Sequence, residues 1–276
     1  MYFALDDFGD ENLAALKALT DSDAQWRRIA DIARSFDVPG IQLSPKYQSE
    51  LQLDLMEIPD RITQGFRLTY HLGGVFTLTS DDAEKNLRQQ MEDSHFIAVS
   101  AGVEDISIHP PVALGCTEEE IPQAVDRLAA VVAHWLPKLA ETGITLSLET
   151  HISPGIFVLS GPEEYRRFVL GLPGLKALVD VSHNQYDGFD PVALVESLPP
   201  GSITGLHLSD AVTGVPYNKG THLPIGQGEV DFQGILNLFD KDDSVCAALE
   251  VRGSAGAVAD SFARLKEIEA VAYKPK

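Results

Sequence analysis

ALVDVSHNQYDGFDPVALVESLPPGSITGLHLSD, residues 177–210, holds two short apolar runs, 176–181 and 203–208. Each gives way abruptly to groups that bind cations or move protons. The first ends in Asp180 and His183, the second in His207 and Asp210. One short helical segment, 191–197, separates them. A buried strand has little reason to finish in Asp-x-x-His unless those side chains emerge at an edge where something polar waits, because an unpaired buried carboxylate is costly.

The same punctuation recurs along the chain. Apolar runs at 2–5, 39–43, 67–70, 105–108, 144–148 and 244–249 complete a set of eight. They alternate with helical patterns at 21–36, 50–63, 80–99, 118–142, 162–170, 191–197, 231–239 and 255–271. Ser22 or Asp23 is placed to cap the first, Asp231 to cap the seventh, and Pro162 suits a first turn. The 118–142 helix has an apolar stripe through Leu128, Val131, Val132, Trp135 and Leu139. Pro59 interrupts the second. Residues 210–229 read as a loop. Eight strand–helix units in about 250 residues is the arithmetic of an α/β (β/α)₈ TIM barrel, here a single domain over 1–276. Runs such as ALVDV and ITLSL suit parallel strands covered on both faces. A doubly wound sheet would carry a glycine-rich phosphate loop after a strand. The Gly226-Gln227-Gly228 turn follows a loop instead.

With 41 acidic against 21 basic residues the formal charge is −20. That disfavours a duplex-nucleic-acid binder, whose affinity comes from phosphate neutralisation. No apolar run spans a membrane, and the N-terminus lacks the basic and apolar regions of a secretion signal. Cys246 reads as a core residue and Cys116 as a loop thiol, which fits a reducing, cytoplasmic setting.

In a barrel, strand C-termini converge on one mouth. That gathers His71, His109, Glu149, Asp180, His183, His207, Asp210 and Glu250, with His151 and His222 in rim loops. His95 and His134 fall in helices and read as surface histidines. Asp6 and Asp7, after the first strand, read as turn residues. Glu149 and Glu250 directly follow apolar strands. With Asp180 and His207 between them, three carboxylates and an imidazole share one cavity. They repel unless a cation sits among them, and this donor set suits Mn, Mg, Co or Zn.

The motifs LTYH (68–71), ISIHP (106–110), LSLET (146–150), LVDVSH (178–183), GLHLSD (205–210), HLPIGQGEVDF (222–232) and ALE (248–250) resemble the xylose isomerase-like TIM-barrel superfamily. That superfamily joins sugar and sugar phosphate isomerases and epimerases to endonuclease IV-type apurinic endonucleases. In the isomerase and epimerase branch, the resemblance implies one divalent ion on Glu149, Asp180, His207 and Glu250. The two glutamates act as catalytic acid and base, passing a proton through an enediolate. His71, His109, His183, His222 and Arg252 then bind substrate or support the site, and Lys219 is a further candidate for a sugar oxygen or phosphate. The endonuclease branch implies three zinc ions on the same histidines and carboxylates. Gly220 departs from it, standing where that branch has an aspartate two residues before the histidine. The favoured expectation is therefore a metal-dependent isomerase or epimerase of a sugar, sugar phosphate or polyol, with a dehydratase and an endonuclease as alternatives. Its partner is a small sugar-like molecule, with a homo-oligomer open, and discrimination rests on loops 44–48, 73–78 and 212–220.

Overall fold

In a computed structural model, eight parallel strands close into one barrel in sequence order, each hydrogen-bonded to the next and β8 to β1. All residues are described except 75, 152–155, 160, 240–242 and 273–276. The strands are β1 (Tyr2–Leu5), β2 (Gly40–Leu43), β3 (Arg67–Leu72), β4 (Asp105–Ile108), β5 (Thr145–Glu149), β6 (Lys176–Asp180), β7 (Ile203–Leu208) and β8 (Cys246–Leu249). The helices are α1 (Asp10–Lys17), α2 (Ser22–Ser35), α3 (Lys46–Ser49), α4 (Asp60–Thr63), α5 (Asp81–Ala101), α6 (Glu120–Glu141), α7 (Pro162–Gly171), α8 (Val181–Tyr186), α9 (Pro191–Ser197), α10 (Tyr217–Gly220), α11 (Phe232–Asn237) and α12 (Ala255–Ala272). The (β/α)₈ expectation holds.

The core lies mainly between the strands and the helix ring. Leu128, Val131, Val132, Trp135 and Leu139 of α6 are all buried there. Each such side chain contributes on the order of 1.5–3 kcal/mol. Ser80 caps α5 by accepting from Ala83 N, and Gly102 ends it in the left-handed region at φ 69°. Strand side chains alternate between this layer and the barrel interior. Leu146 and Leu148 of β5 face the helices, while Ser147 and Glu149 face inward. The strands are buried on both faces as expected, and the interior face carries a polar ladder including Gln42, Thr69, His71, Asp105, Ser107 and Ser147, all buried.

Other differences have local causes. Of the helix expected over 50–63 only α4, at 60–63, forms, and α3 ends just before that stretch begins. Between them Gln52 takes a left-handed φ of 56°, Asp54 Oδ1 accepts from Met56 N at 2.8 Å, and Pro59 precedes α4. α2 is capped by Asp21 rather than by Ser22 or Asp23. Two helices, α8 and α9, connect β6 to β7. The 210–229 loop contains α10. α1 had no forecast; its eight residues form only a marginal helix in isolation, so they draw on packing. His95 is half-buried and His134 exposed, as expected, and no helix among the described residues is long and apolar enough to cross a membrane.

Candidate metal centre at the barrel mouth

Glu149 is the last residue of β5, Asp180 the last of β6, and Glu250 follows β8 directly. His207 lies near the end of β7, level with Asp180 across the ladder. Parallel pairing brings these four to one height. Asp180 and His207 are fully buried, Glu149 is 1% exposed and Glu250 9%. His207 Nδ1 lies 3.5 Å from Glu149 Oε1 and 3.4 Å from Glu250 Oε1. Ligand atoms of Glu149, Asp180 and His207 fall within 4.8 Å of one another. Among the described residues, Asp180 Oδ2 and His207 Nδ1 find no hydrogen-bond partner. Two buried polar atoms facing carboxylates, without partners, fit a divalent cation of the kind mixed O/N donors hold.

Asp180 has a second task. Its Oδ1 accepts from His183 N at 2.8 Å and caps α8, which fixes the carboxyl and leaves Oδ2 to the cavity. Thr150 Oγ1 accepts from Asp180 N at 2.8 Å. Behind His207, the Gln42 carboxamide of β2 stands 2.9 Å from Nε2. The near atom is the amide nitrogen; turned by half a turn, the otherwise partnerless Gln42 Oε1 would accept Nε2–H and leave the Nδ1 lone pair for a cation. Gln42 escaped notice in the sequence. A single polar residue between Ile41 and Leu43 was its only signal.

Two histidine groups flank this centre. His109 Nε2 lies 3.0 Å and His71 Nε2 3.5 Å from Glu149 Oε2, and His71 Nδ1 is tied to Ser107 Oγ at 2.9 Å. On the other side, His183 Nδ1 lies 3.4 Å from Asp180 Oδ2. Its Nε2 is 3.1 Å from His222 Nε2 and 2.8 Å from the Tyr217 hydroxyl. Both His71–His109–Glu149 and Asp180–His183–His222 are compact enough to hold an ion. His222 sits in the left-handed region at φ 54°, an uncommon conformation for a bulky residue. His151 stacks on His183 with centroids 4.0 Å apart.

Charge follows burial and neighbours. Burial opposes charging of His207, but Glu250 and Glu149 outweigh it and push the imidazolium up to about 10. Burial, with Glu149 beside it, pushes Asp180 up to about 7. Burial raises Glu250 well above the carboxylate range against the pull of His207. Glu149 is held well below it, because His109 and His207 overcome the cost of burial. Burial drives His71 and His183 well below the ordinary histidine value, His151 to about 2 and His222 to about 3. These imidazoles are neutral donors.

The other sequence candidates resolve differently. Asp210 accepts from the backbone N–H groups of Ala211, Gly226, Gly228 and Val230 at 2.8–3.1 Å. It pins the GQGEVD turn. A Cβ on Gly228 would lie 2.4 Å from Asp210 Oδ1, so glycine serves this close approach. A Cβ on Gly220 would meet Tyr186 Cε2 and Val212 O, both at 2.7 Å, so an aromatic ring fills the place of any carboxylate there. Lys219 and Arg252 are exposed, the former on α10 and the latter two residues past Glu250. Asp6, expected in a turn, is buried at 5% exposure and lines a cavity next to Glu250 with Asp7, Lys46 and Arg252. Burial and Asp6 together push the Asp7 carboxyl up to about 7.

The model of the xylose isomerase-like TIM barrel matches residues 30–268. The chain belongs to that family. Among solved structures, this xylose isomerase-like barrel is similar to a D-tagatose 3-epimerase-like protein, at 18% identity and TM-score 0.76 over 99% of this chain and 98% of that one. It is similar also to the IOLI protein with a bound zinc atom, at 15% identity and TM-score 0.70 over the whole of both chains. A third is the probable 3-DHS dehydratase AsbF of Bacillus anthracis, at 18% identity and TM-score 0.68, again over both whole chains. No curated protein matches by sequence. At these identities the likeness shows the fold.

Proposed function

We propose that the protein is a divalent-metal-dependent isomerase or epimerase of a sugar-like polyhydroxy carbonyl compound. The observation that carries this reading is the position of His207 Nδ1, within 3.5 Å of Glu149 Oε1 and 3.4 Å of Glu250 Oε1, beside the partnerless Asp180 Oδ2. Glu149, Asp180, His207 and Glu250 would hold one ion. When bound, it polarises adjacent carbonyl and hydroxyl oxygens of the substrate. The chain's own work is proton transfer. Glu149 and Glu250 approach from strands on either side of β6 and β7, so a substrate carbon between them meets one carboxyl as base and the other as acid. His183 and His222 offer neutral nitrogens to substrate hydroxyls, His71 and His109 hold Glu149, and Arg252 stands at the cavity rim. Epimerase, zinc-bound and dehydratase proteins among the similar structures support a metal-dependent small-molecule reaction of this class.

The two flanking histidine triads favour a second reading, a three-metal apurinic endonuclease. Against it stand the ring packed against Gly220 and the charge of −20. The test is wash-in of solvent deuterium at the carbon beside a ketose carbonyl by Mn²⁺-loaded protein. Exchange that disappears in Glu250→Gln, with the ketose still bound, supports the isomerase. Incision of abasic duplex DNA at physiological salt, lost in Glu149→Gln, replaces it with the endonuclease.

A further inference from the structure

Directly after Glu250 in the chain, Val251 and Arg252 line a cavity of about 370 Å³ that the proton-transfer residues do not line. Its wall runs along Val251 and Arg252, crosses Asp6 and Asp7 after β1, and is completed by Lys46 and Tyr47 of α3. Asp7 N donates to Leu249 O at 3.4 Å, so the end of β1 is laid directly against β8. The Tyr47 ring is immobilised by stacking on Trp26 at 5.8 Å and by edge contact with Phe8 at 5.7 Å. Tyr47 is 2% exposed, yet its hydroxyl has no hydrogen-bond partner among the described residues, and neither has Asp6 Oδ2. Lys46 Nζ is 3.8 Å from Asp6 Oδ2 and 3.7 Å from Asp7 Oδ1, ion-pair distances longer than a direct hydrogen bond. A buried carboxylate oxygen and a buried phenol on residues that line one cavity, neither with a hydrogen bond to the protein, are an acceptor and a donor available to a ligand.

We infer that this cavity is the part of the substrate site that receives a neutral, hydroxylated chain and turns away a phosphorylated one. As a substrate subsite it rests on the proposed isomerase reading. The charges decide the class of ligand. Asp6, Asp7 and Asp10 face the cavity against Lys46 and Arg252, while Glu50 at its edge is already paired with Lys17 at 2.8 Å. Lys46 is shared between two carboxylates. A phosphate dianion would face three carboxylates, Asp6, Asp7 and Asp10, with Lys46 already shared between two of them and only Arg252 to meet it. Hydroxyls meet acceptors at Asp6 and Asp7 and donors at Lys46, Arg252 and Tyr47.

The experiment measures binding and exchange separately on Mn²⁺-loaded protein. Calorimetric titrations use xylitol, D-fructose, D-tagatose and D-fructose 6-phosphate, and deuterium wash-in is followed on the ketoses. Free polyols and ketoses should bind at least tenfold more tightly than D-fructose 6-phosphate. Asp6→Asn should weaken xylitol about tenfold or more and Tyr47→Phe severalfold, the loss expected for hydrogen bonds to a charged and a neutral group. Tyr47→Phe keeps the stacked ring, so it reports on the hydroxyl even where Asp6→Asn lowers the melting temperature. Equal or tighter binding of the phosphate overturns the inference. So does xylitol affinity unchanged in both variants, or no binding by any free polyol or ketose. Exchange without dependence on Asp6 and Tyr47 leaves the isomerase reading standing and removes the subsite. Xylitol binding that depends on both residues, with no exchange on any ketose, does the reverse.

Discussion

The two ends of the barrel interior treat buried carboxylates in opposite ways. At the floor, Asp105 of β4 accepts from Ser147 Oγ at 2.7 Å and from Thr204 Oγ1 at 3.1 Å, so both its oxygens have partners across the barrel. Burial pushes its carboxyl up to about 6, and the hydroxyls hold it from going further. Around it lie Thr69, Cys246 and Tyr2, a small and closed polar–apolar layer. At the mouth, Asp180 is as deeply buried, but only one oxygen is spent on the α8 cap. The other lies with Glu149 and His207 and 3.4 Å from His183 Nδ1, without a hydrogen bond. A satisfied buried acid is part of the structure. A half-satisfied one, opposite an imidazole nitrogen in the same condition, is a site prepared for something that binds there.

Substitutions at the two ends should therefore part company. The largest effect is expected at Glu250, where Glu250→Gln should slow substrate C–H exchange about 10²–10⁴-fold, the range for loss of a positioned acid or base, read by NMR of deuterium incorporation. Asp210→Ala should cost about 3–5 kcal/mol in denaturant unfolding, because four backbone donors lose a charged acceptor. That places Asp210 with the floor in character, although it sits at the rim. Gln42→Leu should leave stability nearly intact and weaken metal binding about 10–100-fold, as loss of a group that orients a ligand does; a competitive chelator titration measures it. Asp105→Asn should cost about 1–3 kcal/mol in unfolding free energy with metal affinity unchanged, and a drop in metal affinity there would erase the contrast between the two ends.

The pH dependence of metal binding follows from the same groups. His207, held charged up to about 10, and Asp180, protonated up to about 7, must both release protons to bind a cation. A bound ion displaces those protons, so affinity rises with pH. Glu250, raised well above the carboxylate range, must give up its proton as well, so affinity rises with pH throughout and most steeply below pH 7. Metal titrations between pH 6 and 8 check both sign and slope.

Much of this contrast was legible in the chain. The barrel followed from eight apolar runs separated by helical patterns, and Glu149, Asp180, His207 and Glu250 from carboxylates and an imidazole standing where strands end. The residues that escaped did so for physical reasons. Gln42 and Asp105 point inward because of strand parity, which only a known register assigns, and a polar residue in a four-residue strand carries little signal by itself. Asp6 and Tyr47 become cavity residues because β1 is laid against β8 and α3 folds over them, a contact between opposite ends of the chain. Asp210 looked equivalent to Asp180 because both follow apolar runs. Only the folded loop shows that its oxygens are consumed by backbone N–H groups. The helix expected over 50–63 failed because its apolar spacing competes with a left-handed Gln52 and the Asp54 turn.

Elemental analysis of the purified protein, after dialysis against Mn²⁺ or Zn²⁺ and removal of free metal, tests the role of the mouth most directly. One tightly held divalent ion per chain in the wild type, lost in Asp180→Ala and retained in Asp105→Asn, is the expected outcome. No bound ion, or equal metal content in both variants, would show that the partnerless atoms at the mouth were not kept for a cation. Three ions per chain would move the protein to the endonuclease reading.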